Sequence, residues 1–249
     1  MRSAVGPLLI SSLACLCGVA LLLFAELDPG DGGNPAKARL HAEADTRAPP
    51  DRRSGPSERL THEHGRDPRG PRIQWRDSVP LGSPAAGSLI RGVRLPAEGR
   101  AYFTWDPVLK RSPDRDWRRW GTDDLVRTTL RVMRGFRRAH PGAPRVGVGD
   151  LSLPRGGYFG PEVGGGIGHA THQNGLNVDV YYPRLDGRER PPKRVDQIDM
   201  PLAQDLVDRF VRGGAVRIFV GPSTPLSGPA GVVSPLVNHD NHLHVVIAP

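Results

Sequence analysis

The sequence predicts an α+β fold, a small antiparallel sheet flanked by helices, on three observations. Two stretches, Thr122 to about His140 and about Pro201 to Arg212, carry apolar residues at helical spacing between start and stop signals. Shorter stretches at Arg145–Leu153, Leu176–Val180, Val216–Val220 and the C-terminal end alternate apolar and polar residues as half-buried strands do. No internal repeat runs through the chain.

The N-terminal part does not belong to that fold. Ala4 to Ala25 is an apolar run without a charged side chain, preceded by Arg2 and followed by Glu26, Asp28 and Asp31. Its length suits a bilayer span, and the flanking charges place the N-terminus inside and the rest outside. Residues 1–27 are therefore expected to be a membrane anchor, with a cleaved signal peptide as the alternative, and the chain to be exported. Residues 28–72 are rich in Pro, Gly, Arg, Asp and Glu and almost devoid of aromatic or β-branched side chains. Such a segment cannot bury enough surface to offset its ordering, so it reads as a tether. His62-Glu63-His64 within it has no element to hold it as a metal pair.

The folded domain is expected over 73–249. Trp75, Leu89, Ile90, Val93, Leu95, Tyr102, Phe103 and Trp105 supply its first apolar material, in short pieces split by Gly and Pro. Thr122 caps the first helix, Asp123 and Asp124 occupy its positive first turn, and Pro141-Gly142 ends it. Val126, Leu130 and Met133 mark its buried stripe, whereas Arg127, Arg131, Arg134 and Arg138 form a solvated basic face. A Gly-rich loop, Arg155–Gly168, follows the 145–153 strand; it lacks the lysine of a phosphate-binding loop, and no clear helix opens behind it. The second helix starts at a proline, buries Leu202, Leu206, Val207 and Phe210, and stops at Gly213-Gly214.

The formal charge of +8 favours an anionic partner, but no recognition motif or set of stacking aromatics points to nucleic acid. Both cysteines, Cys15 and Cys17, lie in the N-terminal apolar run, which excludes a disulfide framework and a thiolate metal site elsewhere.

The chemistry concentrates in two windows, Gly168–Asp179 and His239–His244. On a strand, Asn177 and Asp179 share one face and Leu176, Val178 and Val180 the other. His242 and His244 likewise share a face, opposite Leu243, Val245 and Ile247. If these strands are neighbours, His172, Asp179 and His244 can converge on a metal, with His242 beside it to handle a proton. Imidazole and carboxylate without thiolate favour zinc, three protein ligands leaving one position open.

The pattern Gly168-His169-x-x-His172-Gln173-x-Gly175-Leu176-x-Val178-Asp179, followed by His239-x-x-His242-x-His244-Val245, resembles the penicillin-insensitive murein endopeptidases. These stand in a larger group with lysostaphin-type peptidases, D-alanyl-D-alanine metallopeptidases and the hedgehog signalling domain. The likeness extends to Gly149-Asp150-Leu151-Ser152 and, more loosely, to Ser83–Ala97; it covers about Ser78 to the C-terminus. It implies zinc held by His172, Asp179 and His244, proton transfer at His242, and polarising or substrate-binding roles for His169 and His239. Asn177 departs from the family pattern, in which a second acidic residue often stands there. The resemblance further implies a zinc metalloendopeptidase acting on peptidoglycan cross-links between D-alanine and a diamino acid. The alternatives are a D,D-carboxypeptidase on stem peptides and a non-catalytic zinc-containing module. A serine enzyme is disfavoured because no Ser-x-x-Lys occurs.

Overall fold

A computed structural model describes residues 72–166 and 168–249. The anchor expected over 1–27 and nearly all of the tether lie outside the described residues. Among the described residues, no helix is long and apolar enough to cross a membrane.

The chain enters through a hairpin, β1 (Val79–Ser83) and β2 (Ala86–Ile90), followed by the short strands β3 (Val93–Arg94), β4 (Tyr102–Thr104) and β5 (Trp120–Gly121). Helix α1 (Asp123–Ala139) leads to β6 (Val146–Val148), the one-turn helix α2 (Pro161–Gly164) and β7 (Asn177–Tyr181). Helix α3 (Met200–Arg212), β8 (Ala215–Val220), β9 (Val233–Pro235) and β10 (His242–Ile247) complete it. Six strands form the main sheet in the order β4-β6-β7-β10-β8-β9. Its four central strands are antiparallel, while the outer pairs β4/β6 and β8/β9 run parallel. The α+β expectation holds, on a sheet wider than the small one expected.

Side-chain alternation gives the central strands two faces of different chemistry. Val178, Val180, Leu243, Val245 and Ile218 pack into one apolar core with Leu125, Met133 and Phe136 of α1 and Leu206 and Phe210 of α3. The opposite face presents Asn177, Asp179 and Tyr181 of β7 beside Val246, His244 and His242 of β10, in direct register. Burial of the aliphatic set on the helix side thus fixes which residues look out the other way. A one-residue slip would invert every one of them.

The two long helices, α1 and α3, are capped as their chemistry requires. Thr122 accepts from the backbone N–H of Leu125 at 3.1 Å, and Asp199, just before the expected start of α3, accepts from that of Leu202 at 3.1 Å. Thr122→Ala is expected to cost about 1 kcal/mol of folding stability, with Thr122→Ser restoring most of it, as read by urea denaturation. The four arginines of the outer face of α1 are exposed.

Three local expectations need correction. The strand expected over 145–153 stops at Val148, because the backbone of Gly149–Ser152 turns to bond both Asp179 and the Arg118–Trp120 segment. The Gly-rich loop contains α2, started by Pro161 and ended by left-handed Gly165. Where β10 pairs with β8, Val246 stands opposite Arg217 and Ile247 opposite Ala215, so Val216 is skipped and exposed and Ala215 takes the inward place expected for it.

Candidate metal centre

Strand register brings Asp179 opposite His244, and His244 in turn opposite Phe219 of β8. His172 reaches them from the loop before β7. It is fully buried and adopts φ +68, a left-handed backbone that a non-glycine residue holds only where its surroundings impose it. Three residues on, Gly175 (φ +77) turns the chain into β7 and accepts the backbone N–H of Thr122, tying the loop to the start of α1. A Cβ at 175 would stand 2.8 Å from Leu89 and 3.2 Å from the Thr122 nitrogen, so glycine is required there.

The three donor atoms then form a nearly equilateral triangle. His172 Nε2 lies 3.2 Å from His244 Nδ1 and 3.3 Å from Asp179 Oδ1, and His244 Nδ1 lies 3.1 Å from Asp179 Oδ1. His242 Nε2 stands 3.9 Å from the same Asp179 oxygen, and His169 Nδ1 stands 3.7 Å from Asp179 Oδ2. One donor atom each from His169, His172 and Asp179 also falls within 4.8 Å of the other two, which makes His169 a neighbour of the triangle.

Each of four histidines has one ring nitrogen tied to an acceptor. His172 Nδ1–H donates to the Leu151 carbonyl, His242 Nδ1–H to Asn241 Oδ1 at 2.6 Å, and His239 Nδ1–H to the Val237 carbonyl at 2.7 Å. His169 Nε2–H donates to Asp150 at 2.6 Å. Asp150 is gripped in turn by both Nε and Nη2 of Arg118, which is wholly buried and also donates to the Gly164 carbonyl of α2. Such ties fix the tautomer and the ring plane, leaving the second nitrogen of His172 and His242 with a lone pair for the site.

The electrostatics follow from burial and from the carboxylates of Asp179 and Asp150. Burial lowers His172 and His242 to about 4 each, so both are neutral at neutral pH. Burial would raise Asp179, but the charges that His172 and His242 carry at the acid pH where it titrates, together with hydrogen bonds from His172 and His244, outweigh it and hold it well below the usual carboxylate range. Burial opposes charge on His169 as well, yet its bond to Asp150 and the nearby carboxylates raise it. Asp114, beside the same Arg118, is pushed up to about 9 by burial and by Asp150, which leaves Arg118 facing one buried anion.

The cluster floors a cleft of about 540 Å³ whose walls include Tyr181, Phe219, Leu236, Val237 and Asn241. All six histidine and aspartate positions singled out in the sequence line it or stand at its base: His172 sits buried beneath, and His169, Asp179, His239, His242 and His244 face it. His239 packs on His242, ring centroids 4.8 Å apart, so the first two histidines of the window are paired. Sequence reasoning missed Arg118, Asn241, Tyr181 and Phe219. Arg118 lies in an arginine-rich stretch without periodicity; Phe219 was legible only as the strand neighbour of His244.

Several relatives of this chain share a description. A family model described as penicillin-insensitive murein endopeptidase matches residues 80–210, which takes in His169, His172 and Asp179 and stops before β10. The chain is 27% identical to a protein of that name from Yersinia enterocolitica over 191 residues, 66% of this chain and 64% of the relative. It is 27% identical to the Haemophilus influenzae protein of that name over 192 residues, 67% of this chain and 62% of the relative. A Salmonella arizonae protein of that name is 33% identical over 132 residues, 52% of this chain and 40% of the relative. The chain thus spans less than two thirds of the length of each of these relatives. The match runs over more than half of the sequence and through the loop and strand that carry His169, His172 and Asp179, and the chain belongs to the penicillin-insensitive murein endopeptidase family.

Proposed function

We propose that the chain is an exported, zinc-dependent peptidoglycan endopeptidase that hydrolyses peptide cross-links between D-alanine and a diamino acid. The observation that carries this reading is the triangle of His172, Asp179 and His244, with sides of 3.1–3.3 Å. Donors bound tetrahedrally to zinc at about 2.0 Å stand about 3.3 Å apart, so the residues present fit the ion without rearrangement of the strands. Two imidazoles and a carboxylate are also the donor set of hydrolytic zinc. Zinc held by His172, Asp179 and His244 would supply Lewis acidity, to polarise the scissile carbonyl and to lower the pKa of the attacking water.

The chain's own residues supply the rest. His242, its Nδ1–H tied to Asn241, keeps Nε2 free to take the proton of the attacking water and return it to the leaving amine. His169, held by Asp150, which Arg118 grips in turn, has its pKa raised by that bond and stands at the edge of the cleft, where its imidazole can face the substrate oxygen. Tyr181, Phe219, Leu236 and Val237 give the cleft apolar walls against which a stem peptide can lie. The charge of +8 suits an anionic wall, and the 1–27 segment followed by the 28–72 tether suits an enzyme held at the outer side of the cytoplasmic membrane.

The purified chain is expected to bind about one zinc and to cleave cross-linked muropeptide dimers in preference to monomeric stem peptides. Activity should vanish with a chelator and return with zinc. Cleavage of monomers alone would establish the carboxypeptidase alternative, zinc binding without turnover the non-catalytic one, and chelator-resistant cleavage would remove the metal from the reading.

A further inference from the structure

His244 is the exception among the ring nitrogens of the site. Its outer nitrogen, Nε2, is met by the side-chain Nδ2 of Asn177 at 2.8 Å, a donor, where His172, His242, His239 and His169 each meet an acceptor. The second neighbour of Nε2, the Thr171 hydroxyl at 3.4 Å, can donate or accept and does not decide the matter. Asn177 is itself fully buried, and its Oδ1 has no hydrogen-bond partner among the described residues.

An imidazole offers Nδ1 to a cation only when its proton sits on Nε2, and the group facing Nε2 must then accept. A half-turn of the amide about Cβ–Cγ exchanges Nδ2 for the uncommitted Oδ1 at almost no change in volume. We propose that Asn177 is the positioning residue for His244, turning its carbonyl oxygen to the Nε2–H when Nδ1 ligates the metal and its NH2 when Nδ1 carries the proton. An aspartate at 177 could only accept, and would favour the ligating tautomer alone. A leucine would serve neither. Asn177 therefore sets how readily the third corner of the triangle becomes a ligand. This inference rests on the zinc reading of the site.

The test is the zinc affinity of the full-length chain and of Asn177→Leu and Asn177→Asp, measured by competition with a chromophoric chelator. Asn177→Leu is expected to bind zinc roughly 10- to 100-fold more weakly, the range seen for loss of an outer partner of a ligand, and Asn177→Asp at least as tightly as the parent. A long-range ¹⁵N–¹H histidine spectrum gives the readout that packing alone would not move. With zinc, His244 should carry its proton on Nε2, and the Asn177 side-chain NH2 signals should shift between the zinc-free and zinc-loaded samples. Asn177→Leu within twofold of the parent, Asn177→Asp as weak as Asn177→Leu, or a zinc form protonated at Nδ1 of His244 would each overturn the inference while leaving the zinc site standing. A parent chain that binds no zinc would overturn both. Should Asn177→Leu fail to fold, the Asn177→Asp comparison and the spectrum decide.

Discussion

Asp179→Ala protein is expected to lose zinc and, with it, measurable cleavage of cross-linked muropeptides. The reason is the position of that carboxylate. Its Oδ1 stands 3.1 Å from His244, 3.3 Å from His172 and 3.9 Å from His242, and its Oδ2 3.7 Å from His169, so four imidazoles share one anion. Without it, only the imidazoles of His172 and His244 remain to hold a dication in a buried site, and His169 loses the charge that its second nitrogen faces. The loss of affinity should exceed the roughly 100-fold that removal of an outer partner costs. Asp179→Asn separates charge from shape, since it keeps the volume and one acceptor oxygen. It should bind zinc more weakly than the parent and better than Asp179→Ala. Equal zinc affinity in parent and Asp179→Ala, by chelator competition on protein with an unchanged unfolding transition, would exclude Asp179 as a ligand.

Why this carboxylate could be singled out in the sequence, and its support could not, has a physical reason. Period-2 alternation around Asp179 and around His244 settles which residues share a face, because the aliphatic residues between them must be buried. The two windows are therefore legible from local pattern alone. That Asp179 stands directly opposite His244 depends on the pairing of β7 with β10, strands 65 residues apart at those positions, and the register emerges only when both aliphatic faces meet α1 and α3. Arg118 and Asp150 are 32 residues apart and follow no period; their pairing comes from the turn of Gly149–Ser152 against the 118–120 segment. A buried arginine inside the stretch Asp116-Trp117-Arg118-Arg119 looks, as sequence, like any solvated charge. The hairpin β1–β2 escaped for a related reason: most of its residues are exposed or half-buried, so no apolar period marks it.

His242→Ala should divide binding from turnover. Its Nε2 is the most distant of the nitrogens facing Asp179 Oδ1, at 3.9 Å against 3.1 and 3.3 Å, so its removal should leave the triangle and the zinc in place. On the proposed function the substitution removes the group that takes and returns a proton, and such a group contributes about 10²- to 10⁴-fold in rate. The expected result is full zinc occupancy with kcat/KM for a cross-linked dimer reduced by that factor. Loss of zinc in His242→Ala would make the residue a ligand. An undiminished rate would pass its role to His239, packed on it at 4.8 Å. The pH profile adds a second check. Burial lowers His242 from 6.5 to about 4, and a neighbouring cation acts in the same direction, because both disfavour the protonated ring. The free base therefore persists as pH falls through the ordinary histidine range, and the acid limb of kcat/KM should lie well below 6.5. His172 is lowered to about 4 by burial too, so zinc content must be followed along the same titration. If activity falls while zinc remains bound, the limb reports the base; if the two fall together, it reports the ligand. A limb near 6.5 in the parent that survives in His242→Ala would assign the proton to another group.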